Sequence, residues 1–307
     1  MFAPQPATFM LQHSGAPSAP QAIAQTHEFT AALRLAGEQP LVIAGLNNMV
    51  VMQRRVRGIP LAMINRAPFL QADQVLEAVK AAGLRNRPLI LSPDHPVPEL
   101  ARLGALPLMT PAQIALLDIP PDRDARHANL EQKWRNRLRH AEAQGLKITR
   151  RNLPNSANHW LLQADLAQQG HRGYRSWPIP LTLAYAEANP GAAKLFEAHE
   201  GREVIAGVLI LTHGHGATYH VAYSTARGKH LSAHNLLMWS VMEWLAGKAI
   251  TTLDLGVINT EAAAGLARFK LGTGARLHSL GGTWLYWPPL GRILAGLARW
   301  DRALMAS

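Results

Sequence analysis

The segment Thr218 to Gly256 constrains this 307-residue chain more than any other, because it reads as a complete strand–loop–helix–strand unit built around an anion site. Thr218-Tyr219-His220-Val221-Ala222-Tyr223 is an aromatic, β-branched run that predicts a strand. Strict alternation would put Tyr219, Val221 and Tyr223 on one face and His220 with Ala222 on the other. The small, basic loop Ser224-Thr225-Ala226-Arg227-Gly228-Lys229-His230 follows. Next comes a helix with Ser232 at its N-cap and Leu237, Val241, Trp244 and Leu245 at helical spacing. Ile250 to Leu255 predicts a second strand, stopped by Gly256. Two strands running the same way around a helix form a right-handed crossover. Ligands of such units lie beyond the carboxyl ends of the strands, where the first helical amides point. A glycine between two cations at that helix start suits a pyrophosphate.

Strands and helices also alternate through the rest of the chain, so the fold class is α/β with mixed sheets. Residues 1 to 22, rich in Pro, Ala, Gln and Ser, are expected to be loosely held. A helix over Thr26 to Ala36 and a strand over Leu41 to Leu46 precede a hairpin, Met49 to Arg55 and Pro60 to Asn65, that turns at Arg57-Gly58. A helix over Ala72 to Ala82, a short strand at Pro88 to Leu91 and a short helix at Glu99 to Leu103 complete the first half. Pro120-Pro121 marks a boundary. The second half opens with a helix over Leu130 to Gln144, buried along Leu130, Trp134, Leu138 and Ala141 and ended by Gly145. A strand at Lys147 to Arg151, helices at Ala157 to Gln169 and Leu181 to Ala188, and strands at Ala192 to His199 and Glu203 to Thr212 lead to the central unit. His213-Gly214-His215-Gly216 reads as a hairpin turn. As metal ligands His213 and His215 lack a third partner, so no metal is expected.

Composition narrows the function classes. The chain has no cysteine, which removes disulfides, cysteine nucleophiles and thiolate metal sites and is compatible with a reducing cytoplasm. No window approaches the roughly 18 apolar residues of a membrane span, and the first residues lack the pattern of a cleaved secretion signal; the expected location is cytoplasmic. The formal charge of +11 favours polyanions, from nucleic acid and anionic lipid to phosphorylated cofactors. Part of it is local: Lys133, Arg135, Arg137, Arg139, Lys147, Arg150 and Arg151 face only Glu131 and Glu142 between residues 131 and 151. A solvated helix face is the plainer reading of that cluster; a phosphate-bearing substrate is the other.

Three segments carry a resemblance. The basic run Leu130-Glu131-Gln132-Lys133-Trp134-Arg135-Asn136-Arg137-Leu138-Arg139-His140-Ala141-Glu142 is one. Ala222-Tyr223-Ser224 with the loop and helix to Met238-Trp239 is the second. The third is Leu253-Asp254-Leu255-Gly256 followed by Gly265-Leu266-Ala267-Arg268-Phe269-Lys270-Leu271-Gly272. Together they resemble the GNAT-like acyltransferase domain of the Fem-type superfamily, in the branch described as a BioF-associated acetyltransferase domain. The resemblance implies two GNAT-like lobes: a degenerate one over 23–120 and the acyltransferase domain over 121–287. It implies transfer of an acyl group onto an amine by direct attack. Acyl-CoA (acetyl-CoA) is the donor in most GNAT relatives, and aminoacyl-tRNA in the peptidoglycan-building Fem proteins. A non-catalytic GNAT scaffold that binds an anionic partner or a membrane is the rival outside enzymes.

The same resemblance assigns residues. Arg227, Gly228, Lys229, His230, Leu231, Ser232 and Ala233 correspond to the loop that holds the cofactor pyrophosphate. The familiar loop has two or three glycines, and this one has only Gly228. Tyr223, at the carboxyl end of its strand, is a donor to the oxyanion or leaving thiolate, or an aromatic core residue; His220 is a base or a packed strand histidine. Asp254 either orients the amine or ties down the following loop. Lys270 is similar to the lysine of the Fem-type F-K motif, with a plain surface cation as the alternative. Lys133, Arg137, Asn259 and Phe269 are candidate substrate contacts. The acceptor would be a small-molecule or lipid-linked amine, with tRNA as an alternative partner. Beyond Trp284, Tyr286 and Trp287, residues 288–307 read as an amphipathic helix (Ile293, Leu294, Leu297, Trp300, Leu304 against Arg292, Arg299, Arg302) that either packs on its own domain or contacts a membrane peripherally.

Overall fold

The computed structural model describes residues 21–44 and 46–288. The expectations placed on the first twenty residues and on the amphipathic segment beyond residue 288 lie outside them. After a single turn at Ile23–Gln25, the first half runs α1 (His27–Leu35), β1 (Leu41–Ile43), β2 (Met49–Val56), β3 (Ile59–Ala67), α2 (Ala72–Val79), β4 (Leu89–Pro93), α3 (Glu99–Arg102) and β5 (Leu106–Met109). Then come β6 (Gln113–Asp118), α4 (Arg123–Ala128), α5 (Gln132–Glu142), β7 (Lys147–Asn152), α6 (Trp160–Arg172), α7 (Ile179–Ala188), β8 (Ala193–Glu200), β9 (Glu203–His213) and β10 (Gly216–Ser224). The chain continues through α8 (Ala226–His230), α9 (Ala233–Ala246), β11 (Thr252–Val257), α10 (Ala264–Leu271), β12 (Arg276–Ser279) and β13 (Thr283–Tyr286).

The strands form two mixed sheets, β1-β2-β3-β4-β13-β5 and β12-β6-β11-β10-β9-β8-β7. The first gathers its core from β2, β3, β4 and the apolar face of α2: Val51, Ala62, Ile64, Val75, Leu76 and Leu91. The second is covered on both faces at its centre, which is why β9 reads as a near-continuous apolar run. Val208 and Ile210 of β9 pack towards α5 and α9, while Leu209 and Leu211 pack towards α6 and α7. The stripe Leu130, Trp134, Leu138 and Ala141 is buried as its spacing requires, and each large member contributes ~2 kcal/mol through the area it removes from water.

Three elements cross the division expected near residue 120. Helix α1 packs on the second lobe, with Phe29 against Trp177 (ring centroids 4.8 Å apart) and Glu28 Oε1 accepting from the Gly214 amide at 2.7 Å. Strand β6, unforeseen in the sequence, lies inside the second sheet between β11 and β12. Strand β13 returns to the first sheet, between β4 and β5. Local pattern cannot reveal this, because both exchanges pair residues more than a hundred positions apart.

Candidate functional site

Strands β10 and β11 are parallel neighbours, in register at Gly216 with Thr252, Ala217 with Leu253 and Thr218 with Asp254. Beyond Thr218 the pairing ends, although β10 runs on to Ser224 and β11 to Val257. Past that point the strands part, and among the described residues the β10 edge turned towards β11 has no strand partner. On its other side β10 keeps its pairing with β9, with a bulge between Tyr219 and Val221. The bulge corrects the alternation expected from sequence. Tyr219 and Ala222 pack on the α9 side, while Val221 and Tyr223 pack on the α6 side. The extra residue, His220, bonds Thr182 Oγ1 at 2.9 Å and lies 4.8 Å from the Trp177 ring. Burial pushes its pKa down to about 4, so it is a packed, neutral histidine.

The segment between β10 and α9 also departs from expectation. Residues Ala226–His230 are a helical turn, α8, capped by the Thr225 hydroxyl, which accepts from the Gly228 amide at 3.0 Å. Ser232 precedes α9 but makes no side-chain cap bond and has a left-handed backbone, φ 54°. The amides of Gly228, Lys229, Leu231 and Ser232 all donate inside the protein, to Thr225 Oγ1, Thr225 O, Arg227 O and Lys229 O. They do not form the open amide cradle that the loop was expected to offer. Arg227 forks onto Glu200. Gly228 is required by packing: a Cβ there would lie 2.3 Å from the Ile205 carbonyl oxygen, so only glycine lets α8 approach β9 this closely.

A cleft of about 630 Å³ opens beside this turn. Tyr219, Ala222, Tyr223, His234 and Phe269 line its interior, and Arg137, Arg172, His171 and Lys229 its rim, with no carboxylate among the lining residues. The Tyr219 hydroxyl bonds His234 Nε2 at 2.8 Å, and the His234 ring packs 5.1 Å from Phe269. Burial pushes the His234 pKa down to about 4 and raises that of Tyr219. Among the described residues, His234 Nδ1 and Asn235 Nδ2 are buried without a hydrogen-bond partner, a condition that native proteins rarely tolerate. Tyr223 is held edge-on by Trp160 (6.4 Å), whose indole donates to the buried Glu197 at 2.7 Å.

The cleft thus unites Tyr223, Gly228, Lys229, Ser232, Arg137 and Phe269 of the expected set. Lys133 and Asn259 do not line it; Asn259 instead accepts from the Glu261 and Ala262 amides and shapes its own loop. His234, Asn235, Gln168, His171 and Arg172 line it unforeseen, because the folding of α6 and α9 onto β10 has no signature in local spacing. A buried polar pair, His234-Asn235, in the first turn of an apolar helix was the one signal available.

Asp254 and Lys270 lie on the other side of the split. Asp254 is buried, accepts from Arg66 Nη1 of the first lobe and receives the Gly256 amide at 2.7 Å. Arg66 also donates to Asp94 at 2.9 Å. Burial works against the Arg66 cation, but Asp254 and Asp94 outweigh it and hold its pKa up. Of the two roles open to Asp254, this geometry meets the tying one. Lys270 is buried, so it is not a surface cation; its Nζ donates to Val257 O at 2.9 Å. Burial pushes its pKa down to about 8, against the opposing pull of Asp254. His213 bonds Thr218 Oγ1 at 3.0 Å, and no cluster of three metal-ligating side chains occurs among the described residues.

Comparison with known proteins gives this geometry a frame. Residues 128–271 match the acetyltransferase (GNAT) domain family. The chain superimposes on the crystal structure of FemX with a TM-score of 0.71 at 14% identity, over 90% of this chain and 95% of that one. It is also similar to the C-terminal domain of a putative lysylphosphatidylglycerol synthetase from Agrobacterium fabrum (TM-score 0.52, 14% identity, 88% and 91% covered). The corresponding synthetase from Bacillus licheniformis gives a TM-score of 0.50 at 12% identity, with 89% and 95% covered. No curated protein matches at the level of sequence. The chain shares the fold of FemX, and the acetyltransferase (GNAT) match lies within its second lobe.

Proposed function

We propose that this GNAT-fold, Fem-like chain is an N-acyltransferase that moves an acyl group from acyl-CoA to an amine by direct attack. The observation that carries the reading is the parting of β10 and β11 beside a cleft with four basic side chains on its rim and an apolar interior. The donor carbonyl would sit against the unpaired edge of β10, where backbone amides polarise it and stabilise the oxyanion. The neutral amine attacks the carbonyl carbon, the carbon–sulfur bond breaks, and the ammonium proton passes to solvent or a nearby base. Arg137, Arg172 and Lys229 suit the donor phosphates. Lys270, its pKa lowered to about 8 and so still mostly protonated at neutral pH, suits the developing negative charge. Tyr223 would donate to the leaving thiolate.

A second reading rests on the internal bonds of the Gly228, Lys229, Leu231 and Ser232 amides. Those amides would have to break existing bonds to cradle a pyrophosphate, which favours an aminoacyl-tRNA donor held by arginine side chains instead. The likeness to lysylphosphatidylglycerol synthetases adds a lipid-linked acceptor to that reading.

A thermal-shift screen against CoA, acetyl-CoA and longer acyl-CoAs separates the two. A melting point that climbs with ligand concentration supports the CoA reading. No shift with any CoA, together with a tRNA gel shift lost on neutralising Lys133, Arg135 and Arg137, moves the assignment to the second. Neither response, with no acyl transfer detected by mass spectrometry, sinks both.

A further inference from the structure

The hairpin of β2 and β3 ends in seven consecutive exposed residues, Arg54 to Pro60. Its turn, Arg57-Gly58, has φ of 50° and 83°, the paired positive values that let a two-residue connection follow strand twist. Val56 and Ile59 pair directly across that turn and are 54% and 58% exposed. Arg54, Arg55 and Arg57 surround them, and Arg87 shares a groove with Arg54 and Arg55 in which the one acid is Glu38. None of these four arginines forms an ion pair among the described residues; Arg87 donates to Gln53 Oε1. Arginines on an exposed strand guard against unwanted pairing, which accounts for Arg54 and Arg55. It does not account for an exposed aliphatic pair closing the ladder next to the turn, where a guard would carry charge.

We propose that this hairpin tip docks the protein on an anionic lipid surface. Val56 and Ile59 enter the boundary between headgroups and acyl chains, and the arginines bind lipid phosphates. Charge complementarity selects an anionic surface, and the aliphatic tip selects lipid over nucleic acid. Stacking on bases needs aromatic side chains, and there is none between Gln53 and Leu61. The inference is independent of the reaction and lies on the first lobe, apart from the GNAT-domain cleft.

The absence of cysteine makes the test direct. In the full-length chain, Ile59→Cys carries the sole thiol and takes a polarity-sensitive fluorophore. Vesicles of phosphatidylcholine with phosphatidylglycerol should shift its emission to the blue, and phosphatidylcholine alone should not. The same label at exposed Leu277→Cys should be unmoved by either. Arg54→Gln/Arg55→Gln should weaken co-sedimentation with the anionic vesicles by about tenfold or more. Val56→Ser/Ile59→Ser should also weaken it, with unchanged circular dichroism. No blue shift at position 59, or co-sedimentation untouched by both double variants, overturns the proposal. So does tRNA binding that falls with the arginine pair while vesicle binding is absent.

Discussion

Two groups of polar side chains flank the parting of β10 and β11, and they are satisfied in opposite ways. Around Asp254 the carboxylates are paired: Arg66 bridges Asp254 and Asp94 across the lobes. Around His234 a ring nitrogen and an amide lack partners, and Arg137, Arg172 and Lys229 form no ion pair among the described residues. Groups that satisfy one another hold the lobes in place; groups left open are those a ligand would complete. Gly228 shows that position alone does not decide. It lines the cleft, yet its missing Cβ is demanded by Ile205 behind it.

Substitutions can break this contrast. The largest effect is expected at Gly228→Ala, where the added methyl meets backbone and should cost about 3 kcal/mol of stability in a denaturant titration. A variant as stable as the parent would return Gly228 to the ligand side. Lys270→Met comes next, expected to lower kcat about 100-fold with the fold intact. It also carries a pH signature. Burial lowers the folded pKa from 10.5 to about 8, so between those values the unfolded chain holds a proton that the native chain has lost. Stability contributed by this site therefore rises with pH across that window. The difference between parent and variant in melts from pH 7 to 10 reads it, and a flat difference removes the assignment.

Arg66→Met should cost about 2 kcal/mol, discounted for partial exposure, by leaving two carboxylates without their cation. If it leaves stability unchanged but abolishes turnover, the Asp254 side belongs to the chemistry instead. The smallest effect is expected from Arg137→Gln with Arg172→Gln. KM for the acyl donor should rise about tenfold and depend less on salt, with the melting point held. A KM that does not move would empty the cleft of its proposed ligand.

The central unit was legible in the sequence because its signals are local. β-branched residues marked β10, helical spacing marked α9, and the buried stripe of α5 followed from period alone. Arg57-Gly58 announced a turn through the conformations those two residues tolerate. The site was legible only in part, since its details are tertiary. The bulge at His220 moves Tyr219 and Tyr223 to opposite faces, which a period of two cannot foresee. Arg66 and Asp254 meet across 188 positions. The commitment of the Gly228 amide to Thr225 depends on α8 being a helical turn, and a seven-residue loop with a single glycine gave no sign of it.

The return of β13 to the first sheet bears on how the molecule is assembled. During synthesis, residues 41 to 109 leave the ribosome carrying five of the six strands of that sheet, with a gap between β4 and β5. The strand that fills it arrives only after the whole of the second lobe has been made. The amino-terminal half must therefore wait, open-edged, for a segment near residue 286, and a nascent chain stalled before that point leaves the first sheet with a gap between β4 and β5.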